Sequence, residues 1–327
     1  MRTKAKPRYP LYIVSKGRAD SRLTNRALAA MGVPHYVIVE EQEADLYRSQ
    51  VELAEVLVLP PNYKPDYEVC DEFGLTKGTG PGPARNFAWD HSIALGAPWH
   101  WVMDDNISGF YRYNYNLKTP CVSPAFWAVQ EDFVDRYENV AMAGPNYFMF
   151  VSRKSGRIPP YVLNTRIYSC NLIRNDLPFR WRGRYNEDTD LSLRMLKAGW
   201  ATVQFNAFLQ YKMPTQQLGG GNTAEFYAAE GTKPKSEMLA RLHPDCATVA
   251  FRFERWHHYV DYSRWKDRPL LLKPGVSLRP GVDDYGMRLE QRVEGGRYVP
   301  ITRTVHTKKT KYSKGETEAA AIRALAD

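Results

Sequence analysis

The chain has 327 residues, 43% of them hydrophobic, which suffices for a large core in one big domain or in one domain with an appendage. No apolar run approaches membrane-spanning length, and the run near the basic N-terminus (Tyr12–Val14 and its neighbours) is too short for a secretory signal. The net charge of +9 is concentrated at the ends: residues 1–26 hold eight Lys/Arg against the single Asp20, and residues 297–314 hold six and no acid, an excess that invites a polyanion, nucleic acid first. On charge alone, solvated surface lysines explain the same counts.

In chain order, the apolar runs 10–14, 36–39, 56–59 and 99–103 are short, β-branched and aromatic, and read as strands buried on both faces. Helical patterns lie between them at 21–31, closed by Gly32, and at 83–95, started by Pro83 and closed by Gly96. That alternation predicts an α/β fold with a mostly parallel central sheet and flanking helices. Runs at 146–151, 167–173 and 201–205 extend or flank the sheet. After Gly219-Gly220-Gly221 the pattern turns irregular, aromatic and basic, which puts a boundary near 215: residues 1–215 as catalytic domain, 216–327 as an extension. Residues 304–327 read as a basic tail leading into a short Ala-rich helix. Cys70, Cys121, Cys170 and Cys246 form no C-x-x-C pair, which argues against a zinc site and for reduced thiols in a cytoplasm.

Two acidic clusters carry the chemistry. Asp104-Asp105-Asn106 leaves the strand 99–103 ahead of a turn at Ser108-Gly109. Asp and Asn also favour plain turns, yet adjacent carboxylates at a buried strand end repel one another, and a divalent cation relieves that cost. Asn186-Glu187-Asp188-Thr189-Asp190 opens a helix that Gly199 ends, with Asn186 as cap. First-turn acids complement a helix dipole, but three exceed what capping needs. Arg194, four residues after Asp190, is placed to pair with it, leaving Glu187 or Asp188 for proton transfer. Gly80-Pro81-Gly82-Pro83-Ala84-Arg85-Asn86 matches no phosphate-loop spacing, but helix-starting N–H groups with Arg85 attract phosphate; a rigid loop with a surface arginine is the plain alternative.

These motifs together resemble a GT-A (Rossmann-like) glycosyltransferase over roughly residues 10–212: I-V-S-K-G-R after the first strand, A-R-N on the helix before the D-D-N strand, and E-D-x-D-L-x-x-R on a later helix. Within that fold, I-V-S-K-G-R, Val39-Glu40-Glu41 and Arg255–Tyr262 resemble the TET-associated glycosyltransferases, largely phage enzymes that attach sugar to hydroxymethylated bases in DNA. The resemblance implies that Ser15, Lys16 and Arg18 line a nucleotide pocket, with Glu40 near uridine and Arg85 and Asn86 near base or diphosphate. It implies Asp104 at ribose or metal, Asp105 and Asn106 as ligands of Mn2+ or Mg2+, Asp188 as base of an inverting displacement and Glu187 beside it. Many relatives carry a late metal-binding His where this chain reads Leu209-Gln210-Tyr211-Lys212; His243, His257 or His258 could replace it, or Lys212 could neutralise the diphosphate directly.

His257-His258, amid Trp256, Tyr259, Tyr262 and Trp265, either pack an aromatic appendage or contact the acceptor, and adjacent strand residues face opposite ways. The triple glycine is a lid or a linker. The expected activity is transfer of a sugar from UDP to the hydroxymethyl group of 5-hydroxymethylcytosine in DNA, with Lys308, Lys309 and Lys311 of the tail tracking phosphates and no membrane partner. Its rivals are transfer to a polysaccharide or protein, a non-catalytic nucleic-acid-binding module, and a nucleotidyltransferase.

Overall fold

The computed structural model describes residues 5–114, 117–151, 158–213, 233–252 and 254–278, together with the backbone of 292–294 and 297–299. The first half alternates strand and helix: β1 (Leu11–Val14), α1 (Leu23–Ala30), β2 (His35–Val39), α2 (Ala44–Gln50), β3 (Ala54–Val58), α3 (Gly82–Ala94) and β4 (Trp99–Asp104). A hairpin, β5 (Ile107–Asn114) with β6 (Leu117–Pro120), and α4 (Ala125–Val134) lead into β7 (Val140–Tyr147) and β8 (Tyr161–Leu163). Then come β9 (Cys170–Arg174), α5 (Glu187–Lys197) and β10 (Ala201–Lys212).

All ten strands join one sheet. Its path runs β3-β2-β1-β4-β9-β7-β10-β5-β6, and β8 pairs with the other end of β10. β1 to β4 are mutually parallel, as is β10 with β7, so most strands point one way; β9 is inserted antiparallel between β4 and β7. The expected α/β class therefore holds. Both faces are covered, and the alternation in β1 shows it: Leu11 and Ile13 enter the core with Trp101 and Met103, while Tyr12 and Val14 enter the opposite core with Val102 and Trp89. β10 is buried over ten successive residues, Ala201–Gln210, as befits a central strand.

Several boundaries differ from the sequence reading. Asp105 and Asn106 are themselves the turn, and Ser108 and Gly109 belong to β5. The strand expected at 146–151 is β7, ending at Tyr147 and followed by a 3-10 turn at Phe148–Phe150. β10 runs seven residues past Phe205, because Phe208–Lys212 find a new antiparallel partner in β5.

Beyond the sheet, α6 (Lys233–Leu242) and the hairpin β11 (Ala247–Arg252) with β12 (Arg255–Val260) pack on α5, where Leu193 and Leu196 meet Leu239, Ala247 and Trp265. Two short strands, β13 (Arg292–Glu294) and β14 (Arg297–Val299), pair antiparallel. The expected boundary at 215, the triple glycine and the tail with Lys308, Lys309 and Lys311 lie outside the described residues.

Candidate active site

One rim of the sheet collects the chemistry. The parallel strands β1 and β4 end there together, with Val14 in register with Asp104; β10 ends there at Lys212, and the reversed β9 begins there. The D-D-N turn is fixed from α1: Thr24 Oγ1 donates to the Asp104 carbonyl and accepts from Ile107 N–H, while Thr24 N–H donates to the Asp105 carbonyl.

Arg85 joins the two acidic clusters. Its guanidinium, 1% exposed, donates to Asp188 Oδ1 at 2.5 Å and to Asp104 Oδ1 at 2.6 Å, and lies 3.5 Å from Glu187 Oε1. It also stacks over the Trp181 ring at 4.6 Å. The surface-arginine alternative is thereby overturned: Arg85 is buried because α3 directs it inward toward three carboxylates. Neighbouring Asn86 clamps the Trp181 backbone, accepting from its N–H at 2.8 Å and donating to its carbonyl at 3.0 Å.

Lys212 completes the cluster, donating to Asp104 Oδ2 at 2.5 Å and to Ser169 Oγ at 2.8 Å. A bulge between Tyr211 and Lys212 re-aims the end of β10. Burial alone would raise the Asp104 carboxyl, but Lys212 and Arg85 hold it well below the usual carboxylate range. Burial likewise favours neutral Lys212, yet Asp104 overcomes this and keeps the ammonium charged.

The two acids at the start of α5 differ in surroundings. Asp188 accepts from Arg85 and from Asn171 Nδ2 (3.2 Å) at Oδ1, and from Ser169 N–H (3.0 Å) at Oδ2. Glu187 is pushed up to about 7 by burial and by Asp188, with Arg85 opposing. Asn186 sits at the N-cap in a left-handed conformation, but its side chain donates to the Lys235 carbonyl (2.6 Å) and docks α6 instead of capping α5. The Arg194–Asp190 pair forms as expected at 2.8 Å, and His243 Nε2 lies 2.9 Å from the other Asp190 oxygen. With its Nδ1 3.0 Å from Lys197, His243 is occupied behind α5.

Across the rim, Asp105 accepts from Ser15 Oγ (2.7 Å) and Arg18 (2.5 Å), while Tyr47 OH contacts Ser15 Oγ at 2.7 Å. Glu40 pairs with Lys64 and lies 3.9 Å from Lys16. Ser15, Lys16, Arg18, Glu40 and Lys64 thus form one wall beyond β1 and β2. Ser169, Asn171 and Lys64 escaped the sequence reading; Ser and Asn inside the apolar strand pattern of 167–173 were the available signal.

A family model of TET-associated glycosyltransferases matches residues 9–221. The chain belongs to that family. No curated protein matches it. Every rim residue, from Ser15 to Lys212, lies inside the matched span of this TET-associated glycosyltransferase, whereas the β11–β12 hairpin lies beyond it.

The acids at the rim of the glycosyltransferase are already paired with cations of the chain itself. Each Asp105 oxygen accepts one hydrogen bond, from Ser15 or Arg18, and each Asp104 oxygen one from Arg85 or Lys212. Asn106 Oδ1 is buried without a hydrogen-bond partner. Among the described residues no three His, Cys, Asp or Glu side chains converge as a metal site.

His257 and His258 face opposite sides of β12, as its pairing with β11 requires. His258 points inward and is pushed down to about 4 by burial and by the nearby Lys235 and Arg166. The hairpin displays Phe251 and Tyr259, each about 60% exposed, with Arg252 and Arg255; Lys233 lies over the Trp256 ring at 5.4 Å. No helix among the described residues is long and apolar enough to cross a membrane.

Proposed function

We propose that this glycosyltransferase is of the GT-A type and moves a sugar from a UDP-linked donor to the hydroxymethyl oxygen of 5-hydroxymethylcytosine in DNA, with inversion. The observation that carries the reading is Arg85 bridging Asp104 and Asp188, because it sets a donor-side carboxylate and a base-side pair within one sugar's reach. The wall of Ser15, Lys16, Arg18, Glu40 and Lys64 suits a nucleoside with its diphosphate, offering cations for phosphate and an acid for hydroxyls or ring N–H.

Of the two acids, Glu187 suits the base and Asp188 the anchor, the reverse of the roles the resemblance implies. Asp188 is held by three donors, whereas Glu187 is poised near neutrality, where a general base works best. The acceptor oxygen attacks the anomeric carbon, its proton passes to the Glu187 carboxylate, and the bond to the diphosphate breaks with its electron pair going to the phosphate oxygen. The aromatic and basic hairpin supports a nucleic-acid acceptor, since exposed rings stack on bases and arginines meet phosphates.

The test is incubation of DNA containing 5-hydroxymethylcytosine with a panel of nucleotide sugars, followed by nucleoside mass spectrometry. One added hexose on the modified base, lost in Glu187→Gln, is expected. No mass shift with any donor ends the reading.

A further inference from the structure

We propose that this enzyme holds and discharges the donor diphosphate with its own side-chain cations, Lys212 foremost and Arg18 across the rim, and takes no divalent metal. The inference rests on the nucleotide-sugar reading above. A metal-bearing rim needs carboxylate oxygens turned toward the ligand, and here every oxygen of Asp104 and Asp105 already accepts from Arg85, Lys212, Ser15 or Arg18. Three fixed cations, Arg18, Arg85 and Lys212, already face the four acids Asp104, Asp105, Glu187 and Asp188. A cation inserted among those acids would sit beside three fixed positive groups that repel it.

Lys212 is built for the task. The bulge at Tyr211/Lys212 turns its side chain to the rim, and Asp104 keeps it charged. An ammonium has three donors, and Asp104 and Ser169 use two, so the third is available to a phosphate oxygen. When the bond from the anomeric carbon to the diphosphate breaks, the electron pair moves onto a phosphate oxygen, and the ammonium meets that charge as a point charge at fixed distance. The acceptor proton goes to Glu187, so Lys212 gives up no proton.

The experiment is calorimetric titration of UDP, GDP, ADP and CMP into the full-length protein, once with excess EDTA and once with Mn2+. The UDP dissociation constant of the wild type is expected to agree within about twofold between the two buffers. Lys212→Ala is expected to weaken UDP binding in EDTA by about tenfold or more, with part of the loss recovered in Mn2+ because Asp104 is then released. Lys212→Arg, which keeps the charge, guards against loss of the fold. A wild type that binds UDP at least about tenfold more weakly in EDTA overturns the proposal and leaves the donor reading intact. No nucleotide bound in either buffer overturns the donor reading, and this proposal falls with it. Mn2+ electron paramagnetic resonance on nucleotide-free protein is an independent arm: a tight site abolished by Asp105→Ala would refute the proposal whatever the donor.

Discussion

Arg85 donates to Asp188 Oδ1 at 2.5 Å across 103 positions of sequence, and this contact makes one centre of two motifs. Removing the guanidinium leaves Asp188 and Asp104 buried without it, so Arg85→Ala should destabilise the fold by about 3–5 kcal/mol. Arg85→Lys restores charge but offers a single point where two acids must be spanned. It should recover part of the urea midpoint and little turnover. Full turnover in Arg85→Lys would show that the bridge is dispensable.

Glu187 sets a pH dependence. Its folded value, about 7, lies above that of an ordinary glutamate, so between those values the folded chain holds a proton the unfolded chain has lost. The group therefore stabilises the fold increasingly as pH falls from about 7 toward the ordinary glutamate range, and costs stability above it. Glu187→Gln should raise the melting temperature by a few degrees at pH 8 while abolishing transfer, and turnover of the wild type should fall on a limb near pH 7. A melting temperature that drops, with transfer retained, removes Glu187 from the role of base.

Gly82 at the start of α3 admits no side chain. A Cβ there would lie 1.7 Å from Tyr67 Oη and 2.0 Å from its ring carbon, and Tyr67 is held in place by donating to the Gly183 carbonyl at 2.9 Å. Gly82→Ala should cost at least about 2 kcal/mol by chemical denaturation. Because α3 carries Arg85, turnover should fall along with stability.

The β11–β12 hairpin is the acceptor-side test. Trp256→Ala together with Arg252→Ala should weaken binding of double-stranded DNA and reduce the slope of log affinity against log salt by about one. UDP affinity should not move. Equal losses for DNA and UDP would place the hairpin outside the acceptor path.

The parallel half of the fold was legible because its strands are apolar runs separated by amphipathic segments, and the runs around Tyr12, Val37 and Trp101 fall where β1, β2 and β4 lie. α4 was missed because Ala125–Val134 is mostly apolar, and the pairing of β5 with β10 because the two lie far apart in sequence, where no local pattern encodes it. The acids of the site stood out by type and spacing. What they bind did not: Lys212 lies 108 positions from Asp104, and only the sheet brings them together. The cationic partners were hidden by that same gap: two adjacent aspartates look unpaired until Arg18, Arg85 and Lys212 are seen around them.

The direction of β9 has a consequence for how such a centre is supplied. Strands that finish at an edge deliver their last side chains and carbonyl groups to it, and by themselves give little to grip an anion. A strand that starts there delivers a leading amide, and here Ser169 N–H and Asn171 Nδ2 both fasten Asp188. Had the segment run the other way, its opening residues would lie at the far edge, and the anchor acid would have only a guanidinium to hold it.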